Sequence, residues 1–295
     1  KALLEEEVIN PNINLGMRLL YQSAFGAMLR KSKKTRDMIR SMSENQGVKY
    51  NKPESAGKIQ GFVDTFHINM EEAAVEKPSE YETFNKFFYR KLKPSARPIA
   101  SPDNPKVAVQ PADCRLMVFP SVSEATRLWV KGKAFSLAAL LGDAERAKAF
   151  DGGAISIHRL APQDYHRFHT PVAARVASRV PLEGELWTVN PVAVNMVDVF
   201  TENKRTISYL ESDVFGTVAF VSVGAHMVGS MEFTAEEGAS VDKGQDYGFF
   251  MFGGSTVICV WQAGRIKFDS DLMAKSQEST EMLVKMGTSL GVCPS

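Results

Sequence analysis

The five residues Phe252-Gly253-Gly254-Ser255-Thr256 constrain this chain most. They form a small-residue turn that ends one strand-like run and opens another, Val257-Ile258-Cys259-Val260-Trp261. Glycine reaches backbone angles that a residue with Cβ resists, so Gly-Gly-Ser-Thr usually serves as a turn or bulge between paired strands. The same freedom permits chemistry on the backbone itself. A Ser255 hydroxyl pressed against the carbonyl of Gly254 can turn the peptide bond into an ester. Elimination of that ester leaves dehydroalanine at position 255, and hydrolysis then yields a pyruvoyl group. Taken alone, the pentapeptide favours the plain turn.

Two further segments supply partners for a reactive serine. Asp164-Tyr165-His166-Arg167-Phe168-His169-Thr170-Pro171 holds two of the five histidines, three residues apart, and Gln110-Pro111-Ala112-Asp113-Cys114 places an acid in a short loop after an apolar run. A carboxylate that orients an imidazole, and an imidazole that takes a hydroxyl proton, are the parts of an activated nucleophile. In chain order these are Asp113, His169 and Ser255. On a helical turn His166 and His169 would share a face, and on a strand they would point to opposite faces. In a turn after a strand ending near Leu160, both could reach one cleft. The plain reading is a pair of loop histidines bonded to backbone. His67 reads as structural, His158 and His226 carry no motif, and the histidine spacing fits no common zinc pattern, so no metal is expected.

These segments resemble the phosphatidylserine decarboxylase family, in which a serine protease-like triad cleaves its own chain to make a pyruvoyl cofactor. The resemblance extends through Thr83-Phe84-Asn85-Lys86-Phe87-Phe88-Tyr89-Arg90-Lys91-Leu92-Lys93-Pro94 and Ala96-Arg97-Pro98-Ile99. It continues through Val130-Lys131-Gly132-Lys133, Phe135-Ser136-Leu137, Val189-Asn190-Pro191, Val223-Gly224-Ala225, Val228-Gly229-Ser230 and Lys243-Gly244-Gln245. Gly253 stands where the family most often has Leu or Val, and Cys114 where glycine usually follows the acid.

The resemblance implies cleavage between Gly254 and Ser255 into a β chain, 1–254, and an α chain, 255–295, that begins with a pyruvoyl group derived from Ser255. It gives His169 the role of general base, oriented by Asp113, and leaves His166 as proton donor during decarboxylation. The implied activity converts phosphatidylserine to phosphatidylethanolamine and carbon dioxide with no external cofactor, the pyruvoyl group acting as electron sink. Implied partners are the lipid, an anionic membrane surface and the two chains of one precursor, with a homodimer left open. The implied location is peripheral to a membrane: endomembrane or mitochondrial inner membrane in a eukaryote, cytoplasmic membrane in a bacterium.

Composition sets the bounds. A chain of 295 residues with 44% hydrophobic residues can bury one large core or two. The formal charge of +1 argues against a globally basic nucleic-acid binder. No segment reaches the roughly 20 apolar residues that span a bilayer. Cys114, Cys259 and Cys293 show no paired spacing, which suggests neither a disulfide framework nor a zinc site. Leu3-Leu4-Glu5-Glu6-Glu7 is too acidic for a transit peptide, and the chain is expected to be a piece of a longer protein.

Helical spacing runs from Asn14 to Met42, with Met17, Leu20, Tyr21, Met28 and Leu29 on one face and Arg18, Arg30, Lys31, Lys33, Lys34, Arg36 and Arg40 around it. This basic amphipathic segment suits either packing on a core or attachment to anionic lipid. A further helix or helix-turn is expected over Lys58 to Asn69 and another over Pro78 to Lys93, then a turn-rich linker marked by Pro94, Pro98, Pro102 and Pro105. Beyond it, Leu116-Met117-Val118-Phe119, Ala154-Ile155-Ser156-Ile157, Val172 to Val180 and Thr217 to Val223 read as strands, interrupted by one short helix near Ser136 to Leu141.

The fold class expected is α+β: a helical, membrane-facing region, 1–100, on a β-rich, mainly antiparallel catalytic domain, 101–295. Three rival readings remain. Val241-Asp242-Lys243-Gly244-Gln245-Asp246-Tyr247-Gly248 is compatible with a lipoyl-like barrel sandwich, although Lys243 lacks the hairpin setting of a modified lysine. A relative acting on a free aromatic amino acid would need no membrane dock. A non-catalytic binding module would keep the fold alone.

Overall fold

The computed structural model describes residues 32–128, 135–189, 198–225, 231–251, 253 and 255–294. The helical pattern expected over 14–31, the Gly254 carbonyl, Phe252, His226, Val130-Lys131-Gly132-Lys133 and Val228-Gly229-Ser230 lie outside the described residues, as do Asn190 and Pro191.

Helix α1, Lys33–Tyr50, continues past Met42, where the apolar spacing fades. Arg40 donates to the Gly184 carbonyl at 3.0 Å and Arg36 pairs with Glu185 at 3.5 Å, so α1 leans on the 184–185 segment. A 3-10 turn, Pro53–Lys58, leads into α2, Ile59–Phe66, which His67 ends in the left-handed conformation at φ 51°.

The helix or helix-turn expected from Pro78 to Lys93 is not one continuous helix. A 3-10 turn, Pro78–Glu80, is followed by extended backbone, and only Phe84–Phe88 forms a helix, α3. Thr83 is extended and its side chain accepts from Lys86 N, starting a new helix instead of continuing one. Leu92, read from its spacing as helical, forms an isolated bridge with Ala73. The aromatic recurrence nonetheless has its usual outcome: Ile59, Tyr81, Phe84, Phe87 and Phe88 form a buried cluster, with Phe62 edge-on to Phe84 at 5.2 Å.

The strands run β1 Val107–Val109, β2 Cys114–Phe119, β3 Ile155–Leu160, β4 Arg167–His169, β5 Ala174–Leu182, β6 Arg205–Ser212 and β7 Gly216–Gly224. They continue with β8 Met231–Phe233, β9 Ser240–Val241, β10 Asp246–Phe250, β11 Ser255–Trp261, β12 Lys267–Phe268, β13 Met282–Val284 and β14 Ser289–Val292. Short helices lie among them: α4 Val122–Leu128, α5 Leu137–Leu141, α6 Ala144–Lys148, α7 Val199–Glu202 and α8 Ser270–Gln277. The class is α+β.

Eight strands form one sheet in the order β13-β2-β3-β11-β7-β6-β5-β9, and two three-stranded sheets, β4-β10-β8 and β1-β14-β12, complete the fold. The ladder pairs are antiparallel. Alternation along β11 explains why its whole run is apolar. Val257, Cys259 and Trp261 enter one core with Phe168 and Tyr247, whereas Ile258 and Val260 enter a second core with Phe150 and Tyr209. A strand buried on both faces has no polar side to show in its sequence.

Phe168 links the small β4-β10-β8 sheet to the large one, with ring centroids 5.0 Å from Phe250, 5.7 Å from Phe220 and 5.6 Å from Phe233. Gly248 lets it approach: a Cβ there would lie 2.3 Å from the Glu232 carbonyl and 2.5 Å from Phe168 Cζ. Phe168→Ala is expected to cost about 3–5 kcal/mol. Urea denaturation in a Ser255→Ala background, which removes the hydroxyl from the comparison, measures it.

Candidate active site

Ser255 is the first residue of β11 and is held on both sides, opposite Leu160 of β3 and Gly224 of β7. Parity places it on the face shared by Val257 and Cys259, toward the core that contains Phe168. It is 0% exposed, and its Oγ has no hydrogen-bond partner among the described residues; Thr256 Oγ1, on the opposite face, is likewise unpartnered. Gly253, two residues earlier, has φ 139°, an angle that glycine alone adopts easily.

His166 lies in the turn between β3 and β4, so the two histidines come after a strand that ends at Leu160. Asp164 shapes this turn by accepting from Ala161 N at 2.7 Å and Arg115 Nη1 at 2.6 Å. Burial raises the Asp164 carboxyl to about 6 against the pull of Arg115. His166 Nδ1 lies 2.9 Å from the Asp164 carbonyl, so Nδ1–H donates and the lone pair resides on Nε2. That Nε2 is buried and has no partner of hydrogen-bond geometry among the described residues, although the Gly253 carbonyl lies near enough to favour the charged form. Burial prevails and lowers the imidazole to about 3, with Phe88 3.9 Å away, centroid to centroid. The His166 carbonyl accepts from Phe250 N at 2.9 Å, which ties this turn to the strand that leads toward Gly253.

His169 is the last residue of β4. Its backbone N donates to the Pro111 carbonyl at 2.7 Å, which brings it beside the Asp113 loop. Nδ1 lies 2.9 Å from the Gly244 carbonyl and Nε2 lies 3.3 Å from the Tyr165 hydroxyl. Burial lowers its pKa, opposed by the charge of Asp246, the Gly244 carbonyl and the charge of Asp113. Both histidines are therefore neutral at pH 7.

Asp113 is the most tightly held of the four side chains. Arg97 donates to it through Nε at 2.8 Å and Nη2 at 2.5 Å, and Met286 N donates to Oδ1 at 2.8 Å. No hydrogen bond joins Asp113 to His169, or His169 to Ser255: Arg97 and Met286 fill the carboxylate, and a backbone carbonyl takes the histidine Nδ1–H. The fold brings His166 to the Gly253 turn and His169 to the Asp113 loop. Arg97, Tyr165 and the Gly244 carbonyl had no role in the sequence reading, although all three lie in segments that carried the family resemblance.

Beneath this site runs a buried polar chain. Cys114 Sγ lies 3.6 Å from His158 Nδ1, His158 Nε2 lies 3.0 Å from Ser156 Oγ, and Trp261 Nε1 lies 3.4 Å from the same oxygen. Burial raises the Cys114 thiol and lowers His158 to about 3. Among the described residues, no group of His, Cys, Asp and Glu could hold a metal ion.

A histidine lowered from 6.5 to about 3 on folding stays neutral in the native state while the unfolded chain takes up its proton. The unfolded state then binds more protons, so stability is lost as pH falls below 6.5 and the loss ends near pH 3. In the Ser255→Ala background, His158→Gln is expected to flatten that loss by about 1.4 kcal/mol per pH unit. Denaturant titrations at several pH values between these limits check the slope.

The profile of the phosphatidylserine decarboxylase family matches residues 84–292. Among curated proteins, the chain is 51% identical over 294 residues to phosphatidylserine decarboxylase proenzyme 2 of Oryza sativa subsp. japonica, covering 98% of this chain and 47% of that protein. It is 44% identical over 290 residues to phosphatidylserine decarboxylase proenzyme 3 of Schizosaccharomyces pombe, covering 98% of this chain and 30% of the relative. It is 44% identical over 234 residues to the phosphatidylserine decarboxylase proenzyme of Chlamydia trachomatis serovar L2, covering 79% of this chain and 77% of the relative. The chain thus spans less than half the length of these plant and yeast relatives.

Proposed function

The chain belongs to the phosphatidylserine decarboxylase family, and from that premise we propose that it cleaves itself between Gly254 and Ser255 and decarboxylates phosphatidylserine to phosphatidylethanolamine. The observation that carries the reading is Ser255 itself: a fully buried hydroxyl without a partner among the described residues, at the start of a clamped central strand and just after a glycine at φ 139°. A pyruvoyl group made from Ser255 suits this position: its formation would release the residue-255 nitrogen as ammonia, and the ladder from Thr256 onward would still hold the end of the strand after the chain is cut. Such a group supplies a ketone conjugated to an amide, the electron sink for loss of carbon dioxide.

The side chains divide the proton work. Neutral His169 takes the Ser255 proton, with Asp113 beside it favouring the imidazolium that results, and Ser255 Oγ attacks the Gly254 carbonyl. His166 returns a proton to the substrate carbon during decarboxylation. Its Nε2, beside Gly253 and without a hydrogen-bond partner among the described residues, favours a second division, in which His166 is the base for cleavage and Tyr165 keeps His169 occupied. Intact mass under denaturing conditions decides. Parent protein is expected as two species split before residue 255, His169→Ala as one uncut chain, and His166→Ala as a cut chain with little decarboxylase activity. An uncut His166→Ala together with a cut His169→Ala would establish the second division.

Residues 1–100 form the membrane-facing region in this reading and residues 101–295 the catalytic domain. On α1, Met38 and Met42 are 56% and 54% exposed and lie one turn apart, beside exposed Lys33 and Lys34. An apolar pair on a helix with a cationic first turn suits the surface of an anionic bilayer. No helix among the described residues is long and apolar enough to cross a membrane. The protein would bind the membrane peripherally as a complex of its two chains, with a homodimer and the organelle left open. Met38→Asp/Met42→Asp is expected to reduce co-sedimentation with phosphatidylserine-containing vesicles at least several-fold without slowing self-cleavage. Undiminished co-sedimentation would remove this face from the proposal.

A further inference from the structure

We propose that Arg97 is the positioning residue for Asp113: steadied by Glu72, it holds the buried carboxylate in a fixed place beside His169. The inference rests on the reading that Asp113 assists cleavage at Ser255.

The contacts form a relay. Lys285 Nζ lies 3.2 Å from Glu72 Oε1, Glu72 Oε2 lies 2.8 Å from Arg97 Nη2, and the same Nη2 lies 2.5 Å from Asp113 Oδ2. Arg97 Nε also spans both Asp113 oxygens, at 2.8 and 3.1 Å, and Nη1 donates to the Ala96 carbonyl at 2.6 Å. The side chains of Arg97 and Asp113 are 6% and 11% exposed, so neither charge has water enough to stand alone. A planar fork that meets a carboxylate through two nitrogens fixes its orientation as well as its charge.

The surrounding backbone holds the fork in place. The Glu72 carbonyl accepts from Lys93 N at 2.9 Å, and Ala100 N donates to the Gly287 carbonyl at 2.8 Å. Gly287 comes so close to this segment that a Cβ would lie 2.8 Å from the Pro98 carbonyl. Asp113 is thereby clamped between Arg97, far ahead of the Gly254–Ser255 bond, and Met286, beyond it.

The consequence is directional. Arg97 and Met286 supply four donor contacts to the Asp113 oxygens and leave His169 Nδ1–H to the Gly244 carbonyl. Asp113 therefore acts on His169 through space from a fixed position, and that position depends on the Arg97 fork. Without the guanidinium three of its four donor contacts are lost and the carboxylate is free to turn away from His169. Glu72 acts one step further out, so its loss should matter less.

The test is a double-mutant cycle on full-length chain made by cell-free synthesis, with conversion to two pieces followed by intact mass. Arg97→Gln and Asp113→Asn are each expected to slow cleavage about 100-fold. The double variant should be no slower than Asp113→Asn alone, because one residue acts through the other. Arg97→Lys should recover part of the rate, Glu72→Gln should cost only a few-fold, and millimolar methylguanidinium should accelerate Arg97→Ala but not Asp113→Asn. Circular dichroism melting of each chain separates slow cleavage from failure to fold, and Arg97→Lys keeps the cycle readable if Arg97→Gln does not fold. Parent-like cleavage by Arg97→Gln, or additive losses in the double variant, would overturn the positioning role while leaving Asp113 its part in cleavage. Parent-like cleavage by Asp113→Asn would overturn both.

Discussion

The rest of the molecule depends on the antiparallel clamping of β11 between β3 and β7. Every residue of Ser255–Trp261 is buried, and its two faces feed two separate cores. That arrangement turns Ser255 from a residue in a turn into the end of a ladder, where its position is set by backbone pairing with Leu160 and Gly224.

Electrostatics around this strand follow two patterns: imidazoles are kept neutral by burial, and four buried arginines are paired with carboxylates. His158 and His166 are each lowered to about 3. Arg115 pairs with Asp164, Arg159 with Glu281, Arg167 with Asp246 and Arg97 with Asp113. These pairs join residues 16 to 122 positions apart, so the charge that shapes the site also ties together segments distant in sequence. Replacing one member would leave its partner buried and uncompensated, a larger penalty than the pair's net contribution.

The parts of this fold legible in the sequence were those governed by local pattern. The apolar run Val257–Trp261 and the β-branched run within Gly216–Gly224 are strands, and Ser136-Leu137 begins a short helix capped by the serine side chain. The opposite error came from the same signal. Phe84, Phe87 and Phe88 recur at helical spacing, yet the helix is five residues long, because periodicity reports the buried face and not where Thr83 starts a new helix. β4 was hidden because Arg167-Phe168-His169 is too short and too polar to alternate visibly. For the site, Asp113, His166, His169 and Ser255 were legible as residue types. The ion pair between Arg97 and Asp113 was not, since an arginine before a proline in a turn-rich stretch gives no local sign of a partner sixteen residues on.

The strand order has a further consequence. β11 and β13 follow the Gly254–Ser255 bond, yet their ladder neighbours β2, β3 and β7 precede it, and β14 joins β1, before the bond, to β12, after it. A chain cut at that bond would consist of two fragments interleaved strand by strand, joined through the centre of the sheet and not across a surface. Neither fragment could bury its own half of the core. Reassembly after denaturation would become a second-order encounter between two incomplete pieces, with a dilution penalty the uncut chain never meets. Cutting would thus be a one-way step in the molecule's history: the polypeptide folds once as a single chain, and what endures afterwards is kinetically trapped.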